Sequence, residues 1–143
     1  MPDPDSADVG GPGPESGRPA GDVYDWYVRG MQLLDTGHPA AAAELLSHAA
    51  ADAPESPSIR EALGRAHLGA RRYAEARQDF LQLVETYPDD DFAHFGLGLA
   101  LSRMGEHAAA AEQLALACAL RPDRDDYARE LTHVRATLRA RAT

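Results

Sequence analysis

Large apolar residues are spread unevenly along the chain. In residues 1–22 the only ones are Met1 and Val9, and ten of the 22 are Pro or Gly. Such a segment buries too little surface to offset the ordering of its backbone, so it is expected to be a disordered leader. From Val23 onward the pattern repeats every 34 residues. Leu63 and Leu97 are one period apart, Leu33 and Leu101 two periods, and Leu46, Phe80 and Leu114 fall in phase. So do Gly30, Gly64 and Gly98, then Ala42, Ala76 and Ala110, then Pro54, Pro88 and Pro122. Val23 to Arg124 is 102 residues, three periods without an insertion. A fixed period of this size marks stacked units, each too small to bury its own apolar face alone.

Each unit reads as two helices. With Val23 as position 1, the first helices are expected near 23–36, 57–70 and 91–104, and the second near 39–52, 73–86 and 107–120. Asp22, Ser56 and Asp90 precede the first helices, where a short oxygen side chain caps free N–H groups. Pro57 fits the first helical position, and the Pro at position 32 stops each second helix. Glycine inside a helix costs about 1 kcal/mol relative to alanine. Its recurrence at position 8 therefore calls for close approach, expected against the Ala at position 20, with Leu or Phe at positions 7, 11 and 24 filling the flanks.

This frame resembles the tetratricopeptide repeat family, whose signature runs Trp, Leu-Gly, Tyr, Ala, Phe, Pro. The matching residues are Trp26, Gly30, Ala42 and Pro54; Leu63, Gly64, Tyr73, Ala76, Phe80 and Pro88; and Leu97, Gly98, Ala110 and Pro122. Arg29, Arg60, His67 and His94 depart from it without disturbing the Gly/Ala/Pro frame. The resemblance implies an all-α solenoid of three helical hairpins, 23–56, 57–90 and 91–124. Such a stack needs a cap. Tyr127, Leu131, Val134 and Leu138, spaced 4, 3 and 4, predict a seventh helix from about Asp125 to Arg139 within 125–143.

Charge and composition narrow the function. The net charge of -9 divides into -4 on residues 1–22 and -5 on the remainder, against both nucleic acid and anionic lipid as partners. The single cysteine excludes an internal disulfide and a multi-thiolate zinc site. No apolar run is long enough to span a membrane and no signal peptide is evident, so the expected compartment is cytoplasmic. The absence of Lys and Asn beside 28 Ala and 14 Arg suggests a GC-rich bacterial genome.

No catalytic motif survives scrutiny, and no cofactor or metal site is expected. Gly96-Leu97-Gly98 lacks a preceding strand and a third glycine, and Asp89-Asp90-Asp91 lacks calcium-loop spacing. The six His do not pair on any helix face, and Cys118 reads as a packing residue.

What remains is surface. The resemblance implies that the first helices line a concave groove through positions 2, 5, 6, 9, 12 and 13. The candidate groove residues are Tyr24, Tyr27, Met31, Leu34, Arg65, Phe92, Phe95, Gly96, Leu99 and Arg103. Two competing readings accompany them. The aromatics pack on the neighbouring hairpin or cap, and Glu61 pairs with Arg65 one turn on. Gly96 is either a bare socket for a partner side chain or a neutral replacement. Family adaptors that clamp a chaperone C-terminus use Lys, Asn and Arg where this chain has Tyr27, Met31, Ala62, Phe92 and Gly96, so that activity is excluded. The expectation is a non-catalytic adaptor or chaperone-like module for an apolar peptide or amphipathic helix. The alternative is a self-associating scaffold that uses the outer face of helix 23–36, with Trp26, or the groove. The leader could also occupy that groove.

Overall fold

The computed structural model describes residues 17–143. Among the described residues seven helices follow one another: α1 (Val23–Asp35), α2 (Pro39–Asp52), α3 (Pro57–Gly69), α4 (Tyr73–Thr86), α5 (Asp91–Arg103), α6 (His107–Leu120) and α7 (Asp125–Ala142). The described residues contain no strand. The first helices end one residue before the expected bounds, and α7 runs three residues beyond Arg139.

The expected caps form. Asp22 and Asp25 make a reciprocal capping box, Ser56 Oγ accepts from the Ile59 N–H at 3.3 Å, and Asp90 Oδ1 accepts from the Ala93 N–H at 3.1 Å. Each first helix ends in the same left-handed turn. The N–H groups of His38, Arg72 and Glu106 reach back to the carbonyls of Leu33, His67 and Leu101 at 2.7, 2.8 and 2.9 Å. The residue before each has positive φ: Gly37 at 81°, Gly105 at 85°, but Arg71 at 62°. The Arg71 side chain is exposed, so its Cβ strain is uncompensated. Arg71→Gly is expected to stabilise the fold by about 1 kcal/mol, read as a thermal midpoint raised by about 3–6 °C.

Every hairpin packs on the next, and α7 closes the series against α5 and α6. Ala42, Ala76 and Ala110 are fully buried where the helices of a hairpin cross. The glycines meet a different residue from the one expected. A Cβ at Gly30 would lie 2.6 Å from Leu46, at Gly64 2.8 Å from Phe80, and at Gly98 2.7 Å from Leu114. Position 8 therefore receives first the side chain of position 24, because the bulky residue one turn on leans over the gap; the expected position 20 alanine is met only in repeat three, where the Ala110 carbonyl lies 3.3 Å from a Cβ at Gly98.

Trp26 is 1 % exposed, so the expected outer-face surface built on it does not exist. A strap of residues 18–21 covers it. The indole N–H donates to the Ala20 carbonyl at 3.2 Å, the Arg18 guanidinium lies 5.1 Å over the ring, and Arg18 pairs with Asp52 on α2. Arg18 and Ala20 of the expected leader thus contact the array and Asp22 caps α1; the expectation for residues 1–16, and a leader lying in the groove, lie outside the described residues. Trp26 is the only tryptophan. Deleting residues 1–21 is expected to red-shift its fluorescence emission by several nanometres; an unchanged spectrum would show that the strap does not shield it.

Candidate functional site

The curvature of the stack decides which face is enclosed. α1 touches α3, α3 touches α5 and α5 touches α7, whereas α2, α4 and α6 do not touch one another. The first helices therefore converge and line the inner side, and the second helices splay on the outer side.

On the inner side the candidate residues other than the buried Gly96 fall into three groups. Tyr24 is 72 % exposed. Tyr27, Met31, Leu34, Arg65, Phe92, Phe95 and Leu99 are half-buried, and of these Tyr27, Met31, Leu34, Phe92 and Phe95 pack against the core. Arg103 is exposed and engaged with Glu130 of α7 at 3.5 Å.

Packing claims part of this strip. Phe92 meets Phe80 edge-on at 6.1 Å, and Phe95 stacks on Tyr127 of α7 at 4.5 Å. Tyr127 is held in turn: its hydroxyl donates to Asp91 at 2.6 Å and the Arg124 guanidinium lies 4.4 Å over its ring. Burial and the Asp91 carboxylate push the Tyr127 phenol well above its ordinary range. Gly96 offers no socket. It is buried, and a Cβ there would come within 2.5 Å of the Phe80 ring, which fills the space.

Glu61 and Arg65 form no ion pair within 4 Å, contrary to the pairing expected from their spacing. Glu61 is half-buried, and burial, then Asp90, raise its carboxyl above the usual carboxylate range, with Arg65 pulling it down and Asp91 pushing it further up.

The outer side carries a polar cluster that the sequence did not reveal. Asp79, 4 % exposed, accepts from Arg60 at 3.1 Å and from His67 Nδ1–H at 2.6 Å. The trio lines an open cleft of about 480 Å³ between α2 and α4. In repeat three the same positions are lighter: His94 Nε2–H donates to the Pro88 carbonyl at 2.7 Å, and its Nδ1 meets the Gln113 carboxamide at 2.8 Å. Repeat one fills them with Trp26, Leu33 and Leu45. Leu116 and Leu120, one turn apart on α6, are 46 % and 39 % exposed, a second apolar surface absent from the candidate set. Cys118 is half-buried between them in sequence. Among the described residues no three potential metal ligands cluster, and no helix is long and apolar enough to cross a membrane.

The family model for the tetratricopeptide repeat matches residues 27–91 and again 62–125. No curated protein matches the sequence closely enough to count as a relative. Among solved structures, MamA of AMB-1 is 26 % identical with a TM-score of 0.71, covering 83 % of this chain and 65 % of its own. MamA residues 41 to the end from Desulfovibrio magneticus RS-1 is 22 % identical with a TM-score of 0.77, covering 81 % of this chain and 66 % of its own. The first such domain of human RPAP3 is 16 % identical with a TM-score of 0.76, covering 82 % of this chain and 93 % of its own. The chain thus spans just under two thirds of the length of these two MamA structures.

Proposed function

Because the chain belongs to the tetratricopeptide repeat family, whose hairpin arrays mediate protein–protein interaction, we propose that it is a non-catalytic adaptor holding an apolar peptide or amphipathic helix on its inner face. The observation that carries this reading is the row of half-buried apolar side chains on the converging helices, with Tyr24 exposed at its edge. Phe92 and Phe95 serve packing as well as surface, so they are poor test positions. Met31 and Leu99 are better, since both are half-buried aliphatic residues outside the Phe80–Phe92 and Phe95–Tyr127 contacts that join the elements. Peptides selected from a random dodecapeptide display library are expected to bind the protein and to lose at least about tenfold in affinity to Met31→Glu and Leu99→Glu. Equal affinity in both variants, with unchanged helical circular dichroism, overturns the reading.

Self-association remains the second reading, on a different surface from the one first expected. Leu116 and Leu120 present an exposed apolar pair on the outer side of α6. Sedimentation over a concentration range, repeated on Leu116→Glu/Leu120→Glu, decides it: a monomer at every concentration removes the reading.

A further inference from the structure

The inner face does not account for the polar cluster on the outer side. Arg60, His67 and Asp79 stand at positions 4, 11 and 23 of repeat two, and the frame does not require them there: repeat one fills the same positions with Trp26, Leu33 and Leu45. Repeat three has His94 and Gln113 at positions 4 and 23, and both ring nitrogens of that histidine are engaged, one by the Pro88 carbonyl and the other by Gln113. Among the described residues, repeat two alone leaves hydrogen-bonding capacity unused at these positions.

That capacity opens on the cleft between α2 and α4. An ionised carboxylate only accepts, so the bond from His67 to Asp79 fixes the ring proton on Nδ1. The His67 side chain is 8 % exposed and lines the cleft, yet its Nε2 makes no hydrogen bond among the described residues. Arg60 lines the cleft too. It gives Nη1 to Asp79, while its Nε is buried without a partner and its Nη2 makes no bond among the described residues. Asp79 takes Arg60 on Oδ1 and His67 on Oδ2, so the two heads stand side by side. One offers a donor and the other, while neutral, a lone pair.

The cleft has no net charge with which to select an ion. Arg60 and Asp79 answer each other, and Glu75 on the rim lies 3.7 Å from Arg72. An ionic ligand would leave one charge over in a partly desolvated space, a cost that a neutral ligand avoids. The remaining wall is largely apolar, through Ala50, Ala51, Pro54 and Leu63, and about 480 Å³ is the size of a small-molecule site.

We propose that this cleft binds a small uncharged amide whose C=O and N–H share one edge, a lactam or a primary carboxamide, on an apolar body. The carbonyl accepts from Arg60, the N–H donates to His67 Nε2, and the body rests on Ala50 and Leu63. A trans peptide group points its two ends in opposite directions and does not make both bonds.

The test titrates four probes into the full chain at about pH 7.5 and follows the imidazole nitrogen resonances by NMR. The probes are ε-caprolactam, N-methylcaprolactam, cyclohexanecarboxylate and propanamide. Arg60→Met/His67→Leu/Asp79→Leu identifies the His67 signals among those of the six histidines, and His67→Gln serves for that assignment if the triple variant does not fold. Caprolactam is expected to move His67 Nε2 and no other ring, saturating with a Kd of about 1–10 mM, ordinary for so small a ligand. N-methylcaprolactam lacks the donor and cyclohexanecarboxylate carries a charge, so each should bind about tenfold more weakly. Equal affinity for the N-methyl lactam, tighter binding of the carboxylate, or an Nε2 that is protonated at this pH overturns the proposed ligand class. Propanamide is the head of a glutamine side chain. Its binding more tightly than caprolactam assigns the cleft to a protein-borne carboxamide and overturns the small-molecule ligand. No movement of His67 at about 50 mM caprolactam overturns the site itself.

Discussion

Asp79→Ala is expected to cost about 3–5 kcal/mol, the loss that follows when one member of a buried charged cluster is removed. The carboxylate is the only acceptor in its cluster. It takes the Arg60 guanidinium and the His67 Nδ1–H together, and the Arg60 Nε is already buried without a partner. Its removal leaves the Arg60 guanidinium and the His67 Nδ1–H without their acceptor. A domain of this size is stable by only about 5–15 kcal/mol, so the urea midpoint should fall by a large fraction or the variant should fail to fold. A second variant keeps the argument open to test. Arg60→Met/His67→Leu/Asp79→Leu makes the cluster apolar, as Trp26, Leu33 and Leu45 are in repeat one. Replacing a whole buried ionic cluster by packed apolar residues is often neutral or stabilising. The triple variant should therefore unfold at or above the wild-type midpoint. If it falls as far as Asp79→Ala, the cluster is a net stabilising element and the desolvation argument is wrong.

Gly96→Ala is expected to destabilise by about 1–3 kcal/mol even though alanine favours helix, because overpacking outweighs the propensity gain. Phe80 is fully buried with Gly64 on one side and Gly96 on another, and a Cβ at either meets its ring at 2.8 or 2.5 Å. The first interface between repeats solves the same problem with smaller and larger partners exchanged: Leu46 stands where Phe80 does, and Ala62 where Gly96 does. Phe80→Leu/Gly96→Ala copies that solution and should return to within about 1 kcal/mol of wild type. The double-mutant cycle should give a coupling above about 1 kcal/mol. Additive effects in urea titration would show that the two residues do not share the space.

The helices were legible because their determinants are local or periodic. Asp22, Ser56 and Asp90 cap within four residues, and the Gly, Ala and Pro frame repeats in phase. The contacts made by that frame were less so. Position 8 glycine meets position 24, a matter of which way a long side chain leans, and helical spacing alone does not fix it. Asp79 carries no signal of its own in the sequence, since a lone acid on an amphipathic helix is usually exposed. Its partners come from the preceding helix, 12 and 19 residues away. Gly96 admits two readings in the sequence, a socket or a neutral replacement, because the residue that fills its space, Phe80, lies in the previous repeat. The strap over Trp26 lay in a segment whose composition spoke only of disorder. The inner strip followed from register, but the share of it consumed by Phe95 and Tyr127 depended on where α7 docks.

The three residues at position 6, Val28, Ala62 and Gly96, also dictate the order of the repeats. Gly96 faces Phe80, the residue at position 24 of the unit before it; by the same register Ala62 answers Leu46, with which it shares a core cluster, while no helix precedes Val28 among the described residues. A permuted chain with repeat two placed first would drive Phe80 onto Val28. One with repeats two and three exchanged would leave Leu46 over the hollow at Gly96. The array is thus a sentence with a fixed word order, not a string of interchangeable beads, and a spare copy of one repeat could be spliced in only where its neighbour's position 6 is small enough to accept it.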